Sequence, residues 1–255
     1  MTPSPAEPRP GERVAIVTGA GDGIGAATAR ALAAASYRLM LVDVSPEGLE
    51  RSRAALGSAE VEAVVADVTD EADVAQIVTQ TLASFSRVDV LVNVVGGSRP
   101  GKTVVELALE EWDRLLALNL TSVFLMCRAV VPSMVAGGGG AIVNVSSGAG
   151  LRGMSANPGY VAAKAGVVAL TRALAIDHGG QGVRVNCVAP GPVRTPLMAR
   201  NRTPEEIAAI GKLAIVGRIG EPEEIAAAIV WLAGGESSYL MGQTLEVDGG
   251  IAAPL

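Results

Sequence analysis

Residues 14–25 read VAIVTGAGDGIG: a short aliphatic run passes without a break into a glycine-rich turn, and IGAATARALAAAS follows with the composition of a helix. Few folds accept that order. A continuous run of Val, Ile and Ala marks a strand buried on both faces. A tight turn that opens a helix gathers free backbone N–H groups and the positive end of the helix dipole at one point, where a phosphate can sit. The glycines fall as G-x-x-x-G-x-G at Gly19, Gly23 and Gly25, with Asp22 and Ile24 among them. In the first strand–turn–helix unit of a chain this spacing points to a dinucleotide.

The alternation continues along the chain. Strands are predicted at 14–18, 38–42, 61–66, 88–93, 141–147, 182–190 and 244–250. Helices are predicted from Ile24 to about Ser36, from Pro46 behind a Ser45 cap, from Thr69 or Asp70 to about Ser86, over 110–134 and over 158–177. One or two short helices are expected in 195–233. Strands that alternate with helices imply parallel pairing through right-handed crossovers. The predicted fold is α/β: a Rossmann-type doubly wound parallel sheet of about seven strands with helices on both faces. No linker divides the 255 residues, so residues 12–255 are expected to form one domain behind a disordered tail at 1–11.

Composition narrows the function. Net charge is −6 and Lys and Arg are scattered, so no basic stripe for nucleic acid is present. The Pro-rich start lacks the apolar core of a secretory signal, and no uninterrupted apolar run is long enough for a membrane span. Cys127 and Cys187 lie in apolar runs without a C-x-x-C partner, which predicts buried free thiols and suits a reducing cytoplasm. His178 is the only histidine and falls at a predicted helix end, so neither a His-based triad nor a His-rich zinc site is available, and no metal is expected.

Asp43 ends the second predicted strand, 18 residues beyond Gly25. An acid there accepts hydrogen bonds from the adenosine ribose hydroxyls. It also repels a 2′-phosphate, and no Arg or Lys stands in the turn to neutralise one. NAD is therefore expected, with NADP less favoured.

Tyr160 and Lys164 stand alone in the small, apolar stretch GYVAAKAGVV. Four residues apart, they share one helix face. An ammonium beside a phenol is expected to favour the phenolate and lower its pKa from about 10, readying it for proton transfer.

With both motifs placed, the chain resembles the short-chain dehydrogenase/reductase family over residues 13–250. TGAGDGIG matches the family's TGxxxGxG, Asp67–Val68 its adenine-side position, and LNL at 118–120 its helix Asn. IVNVSS at 142–147, YVAAK at 160–164, PGPVRT at 190–195 and VDGG at 247–250 match in order. One departure is visible: the family's NNAG is here Asn93-Val94-Val95-Gly96.

The resemblance implies Tyr160 as acid/base and Lys164 as holder of the nicotinamide ribose. It implies Ser147, rather than Ser146, as the group on the substrate oxygen, and Asn119 as holder of a relay water. Pro190, Gly191, Val193 and Thr195 are implied around the carboxamide. Gly19, Asp22, Gly23, Ile24, Gly25, Asp43, Asp67, Val68, Asn93 and Gly96 complete the implied cofactor set.

The expected activity interconverts a small-molecule secondary alcohol and ketone, in a homo-oligomer (tetramer or dimer) paired through 110–134 and 158–177. Substrate selection falls to 97–103, 148–158 and a lid around 196–216. Arg99, Lys102 and Arg152 are candidates to attract an anion, and Met154, Leu197 and Met198 suggest a partly apolar pocket. The alternatives are a 3-oxoacyl-carrier-protein reductase using NADPH, a dinucleotide-binding protein without turnover, or a lyase or epimerase on the same fold.

Overall fold

The computed structural model describes residues 11–200 and 202–251. The expected tail therefore lies outside the described residues, apart from Gly11. Strands β1 (Val14–Thr18), β2 (Arg38–Asp43), β3 (Val61–Val65), β4 (Val90–Asn93), β5 (Gly140–Val145), β6 (Val183–Pro190) and β7 (Thr244–Val247) form one sheet in the order β3-β2-β1-β4-β5-β6-β7. Every pair is parallel.

The helices are α1 (Gly23–Ala34), α2 (Pro46–Ala54), α3 (Glu71–Phe85), α4 (Leu109–Leu116), α5 (Ser122–Ala136), α6 (Gly148–Arg152), α7 (Pro158–His178), α8 (Pro196–Ala199), α9 (Pro204–Gly211) and α10 (Pro222–Ala233).

Period-two side chains explain the two-sided packing. Val14 and Ile16 join a core with α3, α5 and α7, whereas Ala15 and Val17 join a second core with α1 and α10. Both faces of β1 are thereby buried, which is why its sequence is apolar throughout. The strand order reverses between β1 and β4, and such a switch point opens a crevice beyond the carboxyl ends of the strands. Predicted caps recur in detail: Ser45 Oγ accepts from Gly48 N at 3.0 Å, and Asp70 Oδ1 accepts from Ala72 N at 2.8 Å.

Several boundaries differ from expectation. β4 starts at Val90, and the Asp89 carboxylate just before it accepts from Val14 N (2.8 Å) and Arg87 (2.6 Å). β5 stops at Val145 because Ser147 caps the unanticipated helix α6. The helix expected over 110–134 is broken by a π-helical turn, Ala117–Thr121, with Asn119 buried inside it. The region 195–233 holds more helix than expected: α10 is a 12-residue core helix, with Ile225, Ile229 and Leu232 on its buried face. Its spacing of apolar residues is visible in the sequence. β7 ends at Val247, and Gly249 and Gly250 turn away with positive φ.

By length and mean hydropathy, two helical stretches, Leu109–Ala136 and Pro158–Gln181, would suffice to cross a membrane, although charged residues interrupt both. Here they lie on the sheet, with Met126, Val130, Met134 and Val167 fully buried. Cys127 and Cys187 are buried free thiols, as expected.

Arg184 of β6 ties the far end of α10 to the sheet. Its guanidinium donates to Leu232 O at 3.0 Å, to Gly234 O at 2.8 Å and to Ser237 Oγ at 3.0 Å. Arg184→Met should lower unfolding stability by roughly 2 kcal/mol, since charged hydrogen bonds to the helix end are left unmade. Urea denaturation checks this, with the slope of the transition unchanged.

Candidate active site

The crevice is built first by glycine. Gly19 and Gly23 take φ of +66° and +51°, where other residues are strained. At Gly25 a Cβ would stand 1.9 Å from Gly19 O, so only glycine closes the turn. The N-terminus of α1 carries no acid in its first turn, and Asp22, although at the N-cap, makes no side-chain cap bond. Its backbone donors are thus not consumed by the residue best placed to consume them. This cradle fits a pyrophosphate.

Asp43 is locked beside that turn. Its Oδ2 accepts from Gly21 N and its Oδ1 from Ser45 N, both at 2.9 Å. One carboxylate thus joins the glycine turn to the cap of α2. Thr195 closes the opposite side, with Cγ2 3.2 Å from where a Gly23 Cβ would lie. The 190–195 segment is itself held by Gly191 N to Val247 O (3.0 Å) and by the bridge of Val193 to Gly220.

The other expected cofactor positions divide. Val68 is a core residue, and the exposed Asp67 accepts from Thr69 N at 2.9 Å in a local turn. Asn93 points into the interior: its Nδ2 donates to Asn144 Oδ1 at 2.9 Å, so its side chain ties β4 to β5 rather than facing the crevice. Gly96 faces the reacting groups closely, since a Cβ there would lie 2.8 Å from Asn119 Oδ1 and 2.9 Å from Lys164 Nζ.

Lys164 is buried on α7, and its Nζ donates to Val145 O at 2.9 Å. It lies 5.9 Å from the centre of the Tyr160 ring. The two serines part company. Ser146 Oγ donates to Lys164 O at 2.7 Å within the core, while Ser147 accepts from Ala149 N at 3.2 Å and hydrogen-bonds Tyr160. Asn119 has both amide ends engaged: Oδ1 accepts from Gly97 N, and Nδ2 donates to Gly97 O and Leu115 O, all at 2.9 Å. It pins the loop after β4 over Lys164. A hydroxyl, a phenol and a buried ammonium thus stand in line beside an anion cradle, an arrangement suited to moving a proton at an alcohol or carbonyl oxygen.

A family model described as Enoyl-(Acyl carrier protein) reductase matches residues 19–252. Cis-4-hydroxycyclohexanecarboxylate dehydrogenase of Sinomonas cyclohexanicum is 43% identical over 245 residues, covering 95% of this chain and 97% of that protein. The chain belongs to the short-chain dehydrogenase/reductase family. D-threitol dehydrogenase of Mycolicibacterium smegmatis is 42% identical over 240 residues, covering 93% of this chain and 92% of that one. The crystal structure of levodione reductase superposes with a TM-score of 0.92 at 38% identity, covering 96% of this chain and 100% of that one. As a short-chain dehydrogenase/reductase, the protein is an oxidoreductase of CH–OH groups that uses a nicotinamide dinucleotide.

The loop that carries Val94 and Val95 is anchored to β1 by Thr18. The Thr18 hydroxyl accepts from Val94 N at 3.1 Å and stands 3.4 Å from Val92 O, so β1 and β4 stay stapled at the crevice. The valine side chains pack on the two opposite cores. Thr18 has no role in the sequence reading, although a hydroxyl ending a buried strand is a visible signal. Two of the three loop cations are already paired: Lys102 with Glu111 (2.6 Å), and Arg152 with Glu246 (2.9 Å) and Asp248 (3.2 Å).

The electrostatics correct one expectation. Burial raises the Tyr160 phenol above its usual range, opposed by its hydrogen bond to Ser147. Burial also pulls Lys164 down to about 8. Desolvation therefore outweighs the attraction expected between ammonium and phenolate. A lysine depressed to about 8 from its usual 10.5 binds fewer protons folded than unfolded across that interval. Stability relative to Lys164→Met should therefore rise with pH from about 8 towards 10.5. Chemical denaturation of both proteins over this range checks it; a pH-independent difference would contradict the assignment.

Proposed function

We propose that the protein is an NAD(H)-dependent dehydrogenase of small secondary alcohols, with Tyr160 as acid/base. The observation that carries the reading is the line of Ser147, Tyr160 and Lys164 beside the glycine cradle. A nicotinamide, when bound, accepts or supplies the hydride. The chain's own groups handle the proton. Ala149 N–H holds Ser147 Oγ in place, and the serine hydroxyl, beside the Tyr160 phenol, turns to the substrate oxygen when one is bound. Tyr160 Oη takes the alcohol proton in oxidation and returns it in reduction. Lys164, fixed by Val145 O, holds the ribose and passes charge towards the Asn119 turn.

Gly19, Gly23, Gly25 and the α1 N-terminus bind the pyrophosphate, with Asp22 and Ile24 at the turn's surface. Asp67 and Val68 flank the adenine, Gly96 admits the ribose, and Pro190, Gly191, Val193 and Thr195 border the carboxamide. Residues 196–216 act as the substrate lid. Exposed Leu109, Phe124 and Ile176 on the long helices support a homo-oligomer paired there. The named relatives act on a ring alcohol and a polyol, which supports a secondary alcohol substrate.

Tyr160→Phe should retain NADH binding within about twofold and lose turnover by at least about a hundredfold, the scale of a lost acid/base group. NADH fluorescence titration and steady-state oxidation of cyclohexanol measure the two separately. Near-wild-type turnover would end the mechanism.

Asp43 carries the cofactor preference. Held by two backbone N–H groups, it cannot swing away from a 2′-phosphate. The ratio of kcat/KM for NAD over NADP should exceed about tenfold, equivalent to ~1.4 kcal/mol of repulsion. A preference for NADPH would instead favour the 3-oxoacyl-carrier-protein reductase reading.

A further inference from the structure

Asn157 is 2% exposed and stands at the N-cap position of α7, where its side chain makes no cap bond. Its Nδ2 donates to Ser98 Oγ at 2.6 Å and approaches Met154 Sδ at 3.5 Å. The Met154 thioether can only accept, which sets the Nδ2 end of the amide towards it, and the Ser98 hydroxyl accepts beside it. Its Oδ1 is buried and has no hydrogen-bond partner among the described residues. A buried carbonyl oxygen left unmade is costly, so such an atom in a native fold calls for an occupant.

The surroundings hold this amide in place. Ala156 takes a φ of +51°, unusual for a residue with a Cβ, and its carbonyl accepts from Gly101 N at 2.8 Å and Lys102 N at 3.2 Å. The loop after β4 and the loop before α7 are thereby clasped together. Asn157, Tyr160 and Lys164 follow at intervals of three and four residues, so they lie along one side of α7. Lys164 stands on the inner side of Tyr160, against Val145 and Gly96. Asn157 stands on the outer side, where the loops selecting substrate meet. Met154, unbranched and 47% exposed, is a movable cover over it.

We propose that Asn157 is a specificity-determining residue whose Oδ1 accepts a hydrogen bond from a second hydroxyl of the substrate. The preferred substrates are then diols or polyols rather than simple alcohols. The inference rests on the dehydrogenase reading above and adds the second hydroxyl to it. A site with an unpaired acceptor rejects the analogue that lacks the donor.

The test compares NAD-linked kcat/KM for cyclohexanol with that for cyclohexane-1,2-, 1,3- and 1,4-diol. In the wild type at least one diol should exceed cyclohexanol, and Asn157→Ala should reduce that preference by about tenfold, the scale of one hydrogen bond. Asn157→Leu keeps the volume if the smaller variant does not fold. Ser98→Ala opens the clasp but leaves Oδ1, and should keep the preference.

Equal losses on cyclohexanol and the diols would show that Asn157 only braces the loops or binds a water, and would overturn the proposal. So would loss of the diol preference in Ser98→Ala, or a wild type that turns over all four without preference. A wild type that binds NADH but oxidises none of them would instead refute the dehydrogenase reading, and this proposal with it.

Discussion

A buried ammonium must be given acceptors and kept free of crowding, and the site is organised around that demand at Lys164. Val145 O, at the end of β5, accepts a hydrogen bond from it. Gly96 leaves the volume that any side chain would fill. Asn119 holds the Gly97 backbone on both its N–H and its C=O, so the loop that carries Gly96 cannot drift. Ser146 grips the Lys164 carbonyl and thus sets α7 against β5. The same contacts that house one charge therefore align three elements, and Tyr160 is carried into position with them.

The crevice has two ends with different physics. The phosphate end is rigid backbone: positive-φ glycines, an uncapped helix terminus and a carboxylate that spans the turn and α2. Its work is geometric, because aligned N–H groups need no titration to bind an anion. The chemical end is a desolvated cluster in which burial moves the phenol up and the amine down. Neither group rests at its ordinary value: burial brings the amine nearer to pH 7 and takes the phenol further from it. The loops clasped by Ser98 and Asn157 border this second end.

Much of this was legible in the residues. The seven strands, their parallel order and the two-sided packing followed from apolar runs alternating with Ala-rich segments. The Ser45 cap was readable from local chemistry, and Asp70 was one of two neighbours offered for the next. Other features were hidden for identifiable reasons. Asn119 sits in a π turn that helical periodicity cannot reveal, because the extra residue is accommodated by a side-chain bond to Leu115 O. Asn93 looks like a crevice residue by position, yet alternation sets it on the Leu91 face of β4, where its partner Asn144 is remote in sequence. Arg152 reads as a loop cation until α6 brings it to Glu246 and Asp248. The short α6 itself has too little periodicity to announce itself.

The sequence by itself determined the class of fold, the anion cradle and the pairing of a phenol with an amine, because each depends on residue type at short spacing. Only the tertiary structure decided what shifts the two titrating groups, what Ser146 does instead, and that the Asn157 carbonyl is left unpaired. Those outcomes depend on desolvation and on contacts between segments far apart in the chain, and neither quantity is written in local order.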